Sequence, residues 1–534
     1  MLSFSRVVSA IFRNHRVDKI ITHGGGNLSP TEMIAETKPL GGDRLVTYGA
    51  IVLVALYLFR YLGFPDLPGN VSANPMGWWG WFDQSKTLES AHAFAHGDLS
   101  AGHHWYPLGY ALTGALFERL MPMHAFFAVN VASLLAVYWA FLAVCRRLAI
   151  STGWSIVIFY LAVAVDYQLF AQWIIPWNTT PVAALMWLLL ANVAAYWDGE
   201  RRPLLIGLLA GAVPVFRPVE LAVVAPCLLA VLVIAVRRGW TWRSDVLRIA
   251  IGFSLPVTCY LLAHLCIYGP QASDYMRLSR GLGFSAHGLV WKAYVILVEP
   301  RAWFHGGEGL LHHVPWMALG IAGLILAFVR GGLRLILAVV VLCHAVTYLC
   351  YVDFLPSGLW RYYLVHYWTW VLPAYGALGF LLLRELARPV TASERRLAGV
   401  ALAVTVAILC VEIKPVPATS RTAFAVDFSG PPPAFSSGYF DPWQLRDDTG
   451  ILRNVGDVRG SAAPFGLRVF SIRSQFSGDV SWVEDHPFPA AVSAHPVARW
   501  DAVPRLGYPC WVPFLHCAYS GTDARFLAPF PDKS

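Results

Sequence analysis

The sequence predicts an all-α polytopic membrane protein of about eleven transmembrane helices, and three observations lead there. Of 534 residues, 57% are hydrophobic and only 13% are charged, with a mean hydropathy of +0.53. A water-soluble surface needs about a quarter of residues charged, so the deficit fits a surface facing lipid tails. Second, the apolar runs are long enough, since roughly 20 apolar residues cross the hydrocarbon core as a helix. Third, the basic residues fall at alternate ends of those runs. The 22 tryptophans and 22 tyrosines suit the headgroup layer, where one end of a ring is apolar and the other wet.

Taken in order, the spans lie near 45–63, 124–145, 152–171, 178–197, 203–216, 219–236, 246–268, 310–329, 333–352, 362–383 and 397–414. The fifth is short and is split from the sixth by Arg217-Pro218. Basic residues are retained on the cytoplasmic side. Arg13, Arg16 and Lys19 precede the first span. Arg146-Arg147, Arg201-Arg202, Arg237-Arg238 with Arg243, Arg330 with Arg334, and Arg384, Arg388, Arg395 and Arg396 all land on that side. The expected layout is a cytoplasmic tail over 1–44, a transmembrane module over 45–414 and an external segment over 415–534. The net charge of +8 is then explained by topology and anionic headgroups, without nucleic acid. Seven of the nine cysteines fall in spans, where they behave as small apolar residues. Cys510 and Cys517 lie outside, either paired in an oxidising compartment or reduced. No cleavable signal peptide is expected, because the first 44 residues are basic, then polar and Gly-rich.

Two long external loops carry the chemistry. The first, 64–123, is far longer than a connector. Thr87, Leu88, Ala91, Phe94 and Ala95 recur at helical spacing, predicting an amphipathic helix over Asp83–Ala95 along the interface. Trp78, Trp79, Trp81 and Phe82 flank Asp83, and Tyr106-Pro107-Leu108-Gly109-Tyr110 leads into a second short apolar helix. Asp83 has two readings at this point: a helix-start cap favoured by the dipole, or a general base where a lipid-borne substrate meets a water-borne one.

The stretch Asp83-Gln84-x-x-x-Leu88-x-x-Ala91, then Gly97-Asp98-Leu99, then Tyr106-Pro107-Leu108-Gly109-Tyr110 resembles the first external loop of GT-C glycosyltransferases. These are multispanning enzymes using lipid-phosphate sugars, such as protein O-mannosyltransferases and the lipid A aminoarabinose transferase. Asn130 with Arg146-Arg147-Leu148, Gly207-Leu208-Leu209-Ala210-Gly211 leading to Phe216-Arg217-Pro218, and Arg361-Tyr362-Tyr363 are similar to later family features in the same order. In architecture the resemblance covers roughly residues 45–385, and it is specific only over 83–110. It implies a GT-C-like fold, with Asp83 as the base that deprotonates an acceptor hydroxyl. That hydroxyl attacks the anomeric carbon with inversion as polyprenyl phosphate leaves. One carboxylate suffices, because a phosphate monoester needs no protonating acid. Gln84 stands where many relatives carry a second acid, which weakens a metal-binding pair.

The donor phosphate needs a cationic cradle. Arg217, whose guanidinium fork suits phosphate oxygens, is the first candidate, or it pairs with Glu220 or backbone carbonyls. Arg361 is the second, with Asp353 as a structural alternative. Lys86 is the third, or it pairs with Asp83 or is solvated. Trp81, Tyr106 and Tyr110 in the first loop, Asn178 at a span end, and Arg280, His305 and Glu308 in the second loop are candidate substrate contacts. Asn178 or Thr180 also suits a helix cap. The second loop, 269–309, mixes Arg277, Arg280 and Arg301 with Tyr275, Trp291 and Trp303, and its glycines at 306–309 would permit closing over the donor. His305, His312, His313 and Glu308 lack a zinc-ligand spacing, so no metal or other cofactor is expected. Past 415, Gly430-Pro431-Pro432-Pro433 and the strand-like stretch 465–484 predict a small extramembrane domain with β-strand content.

The expected function is transfer of a sugar from a polyprenyl-phosphate donor to a lipid, glycan or protein acceptor in the envelope of a bacterial inner membrane. Two other classes remain open. A polymerase or ligase would release polyprenyl diphosphate. A flippase would show internal repeats and midplane charges, whereas no clear repeat is visible here.

Overall fold

In the computed structural model, the described residues are 40–428, without 73, 285, 287, 288, 300–307, 352, 353, 355–358, 361, 362, 389 and 390, and beyond 428 the strands alone. The protein is mostly helical. Six helices among the described residues are long and apolar enough to cross a membrane: Asp43–Leu62, Pro122–Arg147, Thr179–Asp198, Pro218–Arg237, Trp242–Tyr268 and Gly332–Cys350. A bent pair, Thr152–Val163 with Tyr167–Ile174, passes the same test together, and Pro203–Phe216 and Met317–Arg330 are shorter apolar helices.

Two compact units form. The first comprises the described residues up to Gly281 with Trp316–Tyr348 and Val365–Thr405. Its helices are α1 (Leu40–Leu62), α2 (Phe82–Ala95), α3 (Leu108–Glu118), α4 (Phe127–Arg147), α5 (Thr152–Val163), α6 (Tyr167–Ile174), α7 (Thr179–Asp198), α8 (Pro203–Phe216), α9 (Leu221–Arg237) and α10 (Trp242–Tyr268). After α11 (Asp274–Leu282), α12 (Leu289–Leu297) and α13 (Leu310–His313), the chain continues through α14 (Met317–Arg330), α15 (Gly332–Cys350), α16 (Leu372–Ala387) and α17 (Ala392–Leu409). The second unit holds Leu282–Pro315, Leu349–Leu364 and the residues from Val406 on. From Glu412 the described residues are strands. The longest, Glu412–Phe428 and Ala491–Gly507, pair antiparallel.

Most expected spans have a helix in place, and the departures have local causes. The run expected over 152–171 breaks into α5 and α6, which meet at 87°. The Asp166 side chain accepts the Leu169 amide at 2.9 Å and starts a new helix, a cap that hydropathy does not sense. The run expected over 310–329 becomes α13 and α14, separated at Val314–Trp316, because Pro315 has no amide to donate. The run expected over 362–383 forms a 3-10 turn at Leu364–Tyr367 and an α-helix only at α16, with Pro373 in the first turn, where a missing amide costs nothing. Of the 1–44 tail, residues 1–39 lie outside the described residues, and 40–44 already belong to α1.

Helices pack closely where glycines permit. Gly207 and Gly211 of α8 lie against the Ile249 and Phe253 backbone of α10, and Gly252 faces back onto Leu204 and Gly207. Any side chain at these positions would collide with backbone. Small residues of this kind let helices approach in lipid, where no hydrophobic drive holds them together.

The arginine-bearing helix ends lie together. Arg147 at the end of α4 pairs with Glu200 at 2.7 Å, just after α7, and Arg201 pairs with Asp245 at the start of α10 at 2.7 Å. Arg330 of α14 reaches Glu385 of α16 at 2.7 Å, with Arg334 of α15 on the same carboxylate. Arg384 of α16 donates to Ala149 O at 2.6 Å, just past α4. These bonds gather the basic clusters at one end of the helical bundle. α8 begins beside them at Arg202 and ends at Arg217, so its 14 residues carry Arg217 about 21 Å away.

Candidate functional site

At the far end of the bundle, α2 and α3 form a helical hairpin. Trp78 and Trp79, expected as interfacial rings around Asp83, are instead buried. Trp78 packs edge-on against Tyr61 and Phe64, and the Trp79 indole donates to Met123 O. This anchors the chain entering α2. Of the expected stripe on α2, Thr87 and Ala91 are buried, with Gln84, Ser90 and Ala93 beside them, while Leu88, Phe94 and Ala95 are half-buried. Ser90 hydrogen-bonds the buried His104 at 2.7 Å.

The Gly97-Asp98-Leu99 segment is a turn. Gly97 has φ +74°, which a side chain would strain. The Asp98 carboxylate accepts the Ser100 amide at 2.8 Å, and Asp98 O accepts from His104 Nε2 at 3.1 Å. The Ser100 hydrogen bonds hold the Asp98 carboxyl below its ordinary range, while burial holds the His104 imidazole below its own.

Asp83 sits in the first turn of α2, half-buried, and accepts a hydrogen bond from the Tyr106 hydroxyl. The Tyr106 ring lies 5.0 Å from that of Tyr275, on α11. α3, which begins just after Tyr106, also lies against the end of α8 that leads into Arg217. Gly109 explains how α3 comes so near: a Cβ there would meet Val215 O at 2.9 Å and the Phe216 ring at 3.0 Å. The glycine of the Tyr-Pro-Leu-Gly-Tyr motif thus seats α3 on the end of α8, one residue before Arg217.

Arg217 is 6% exposed, and its contacts are those of the sequence reading in which it pairs with Glu220. Nε donates to Tyr348 Oη at 2.9 Å, and that hydroxyl donates to Glu220 Oε1 at 2.5 Å. Glu220 itself lies 3.8 Å from Nε. Nη1 donates to Asn178 Oδ1 at 2.9 Å, and the guanidinium lies 4.2 Å from the Tyr367 ring centroid. Asn178 stands at the N-cap of α7 but makes no capping bond. Its amide holds Arg217 and donates to Phe216 O at 3.3 Å. The expected cap is replaced by a clamp.

The other predicted residues divide. Trp81 is the half-buried residue ahead of α2. Tyr110 is buried, stacked on Phe126 at 4.1 Å, and its hydroxyl donates to Asn130 at 2.9 Å, so it points into the core. Lys86 pairs with Glu89 at 3.0 Å. Burial opposes the Glu89 charge, but hydrogen bonds from His103 and Lys86 outweigh it and hold its carboxyl below the usual range. Arg280 is exposed on α11. In the second unit, Glu308 pairs with His313 at 2.5 Å, and Gly309 packs tightly, since a Cβ would meet Val298 O at 2.6 Å. His305 and Arg361, and the Cys510 and Cys517 pair, lie outside the described residues.

Sequence reasoning left Tyr348 and Tyr367 unassigned. Tyr348 is embedded in an apolar span with nothing local to mark it. It also passed over His92 and His96, whose i, i+4 spacing on a helix was the available signal; with Glu118 they offer ligand atoms within 4.8 Å of one another. Comparison of the chain with family models, with curated proteins and with solved structures finds no match.

Proposed function

We propose that this chain is a membrane glycosyltransferase that moves a sugar from a polyprenyl-phosphate donor to a hydroxyl of a cell-envelope acceptor, with inversion. The observation that carries the reading is that Asp83, held by Tyr106, and the end of α8 that leads into Arg217, on which α3 is seated, lie at the bundle end away from the arginine-bearing helix ends. With the arginines at the cytoplasm, that end is the external one, where a lipid-borne sugar and a water-borne acceptor meet. The reading carries with it about eleven crossings, an internal amino terminus, an external carboxyl-terminal domain and a bacterial inner membrane.

In this scheme Asp83 takes the proton of the acceptor hydroxyl. The acceptor oxygen bonds to the anomeric carbon as the bond from that carbon to the phosphate oxygen breaks. Polyprenyl phosphate departs with the electron pair. Tyr106 holds the carboxylate in position, and a hydrogen bond to a charged acceptor is roughly twice as strong as a neutral one. Arg217 places a fixed positive charge near the departing phosphate, its plane set by Tyr367 and its edge by Asn178 and Tyr348.

The test is transfer by purified protein in detergent, offered labelled polyprenyl-phosphate sugars and membrane extract, wild type beside Asp83→Asn. Wild type should give a labelled product, and the variant should fall by about 10²- to 10⁴-fold, the range of a lost general base. Equal activity in a folded variant removes the base assignment. Turnover of a diphosphate-linked glycan alone replaces the reading with a polymerase or ligase.

A further inference from the structure

The hairpin that carries Asp83 has a second cluster at its other end. His92 lies in the last turn of α2, His96 is its C-terminal cap, and Glu118 closes α3. His92 Nδ1 is 2.7 Å from Glu118 Oε1, and the two imidazole rings are 4.2 Å apart at 36°. The Glu118 side chain is 5% exposed, whereas that of His92 is 61% exposed.

We propose that His92, His96 and Glu118 form a transition-metal site of the zinc type, which clamps the end of α2 to the end of α3. Three observations converge. The ligand atoms already lie within 4.8 Å of one another. Metal–ligand bonds of about 2.1 Å put tetrahedral ligands roughly 3.4 Å apart, so small side-chain rotations close the site. Next, His96 Nδ1 is 2.9 Å from His92 O. An Nδ1–H donated to a backbone carbonyl fixes the tautomer with the lone pair on Nε2, the arrangement that orients imidazole metal ligands. Finally, two helices end here, and the carbonyls of helix C-termini carry partial negative charge that favours a cation. Arg119 is the neighbouring positive group, and its guanidinium is turned to Ala95 O.

The donor set selects the metal class. Two imidazoles and one carboxylate suit Zn²⁺, Ni²⁺ or Cu²⁺, whereas Mg²⁺ and Ca²⁺ prefer oxygen alone. Three protein ligands on an exposed rim leave a fourth position for water. The metal would take the place of the direct contact between His92 Nδ1 and Glu118 Oε1. His92 is nine residues from Asp83 on α2, about 14 Å along the axis. The ion is therefore a clamp and not a Lewis acid at Asp83, and it stands whatever reaction Asp83 performs.

The test uses the full chain in detergent with its affinity tag removed. Protein is loaded with Zn²⁺, desalted and analysed for metal, and affinity is measured against a chromophoric chelator. Wild type should retain about one equivalent of Zn²⁺ more than His92→Ala/His96→Ala, and Glu118→Gln should bind at least tenfold more weakly. His103→Ala, which removes a histidine of the same hairpin, should match wild type. Should the double variant aggregate, the exposed His96→Ala alone carries the comparison, and Co²⁺ should give visible bands of four-coordinate N/O ligation in wild type only. Equal Zn²⁺ in wild type and the histidine variants, or none in wild type, would leave His92 and Glu118 as a simple polar pair and overturn the proposal.

Discussion

Replacing Arg217 by methionine puts the buried network to a quantitative test. Arg217 and Glu220 are 6% and 1% exposed, and the Tyr348 hydroxyl bridges them. Removing the guanidinium leaves the Glu220 carboxylate buried, with the Tyr348 hydroxyl as its donor. A buried charge stripped of its partner costs about 3–5 kcal/mol. Loss of the Tyr367 ring contact adds roughly 1–2 kcal/mol. Glu220→Met leaves the opposite orphan and should cost a similar amount. The double variant Arg217→Met/Glu220→Met removes both charges, and replacing a buried pair by apolar groups of similar size is often close to neutral. It should therefore be more stable than either single variant, with a coupling of about 3 kcal/mol or more. The assay is SDS-titrated unfolding in mixed micelles, followed by tryptophan fluorescence. Single-variant costs below about 1 kcal/mol, or costs that simply add, would refute the claim that the pair is a coupled buried unit. Arg217→Lys separates stability from recognition. It keeps a charge near Glu220 but loses the fork, so under the proposed function its transfer should fall further than its stability.

Three other outcomes follow from the hairpin. Asp83→Asn should fold and lose transfer, checked by the product assay already described. Gly109→Ala should destabilise the protein by about 1–3 kcal/mol, because its methyl would meet Val215 O and Phe216 where α3 sits on α8; an unchanged SDS midpoint would show that α3 is not seated there. His104 is held neutral by burial, so its folded pKa lies below the unfolded value of about 6.5. Its contribution is present above that value and is lost as pH falls from about 6.5 through the folded pKa, since the unfolded chain then binds the proton more readily. The unfolding midpoint should drop over that window in wild type and drop less in His104→Gln.

Much of the site's position was legible because its signals are local. The amphipathic repeat over Asp83–Ala95 specified α2 to within one residue, and the Tyr-Pro-Leu-Gly-Tyr segment marked the start of α3. What failed to show was the identity of partners. The periodicity of α2 marked Thr87, Leu88, Ala91, Phe94 and Ala95 as one stripe, and Thr87 and Ala91 of it are buried, yet it did not mark Ser90, which is buried and hydrogen-bonded to His104. Tyr110 was read as a substrate contact from its place in the motif, but Asn130 and Phe126 draw it into the core.

The sequence by itself determined that this chain carries helices long and apolar enough to cross a bilayer. Apolar runs of spanning length are a property of contiguous residues, and lipid selects them one helix at a time. It also determined that the basic clusters share one side, because alternation along the chain is enough to order them. Only the tertiary structure decided that Arg217 meets Tyr348, 131 residues away, and that Tyr106 meets Asp83. Only there does Glu118 close on His92. Hydropathy reports that a helix face is apolar but carries no label for the helix it will face. Those partners are set by glycine-permitted approaches such as α3 on α8, which exist only once the helices have packed.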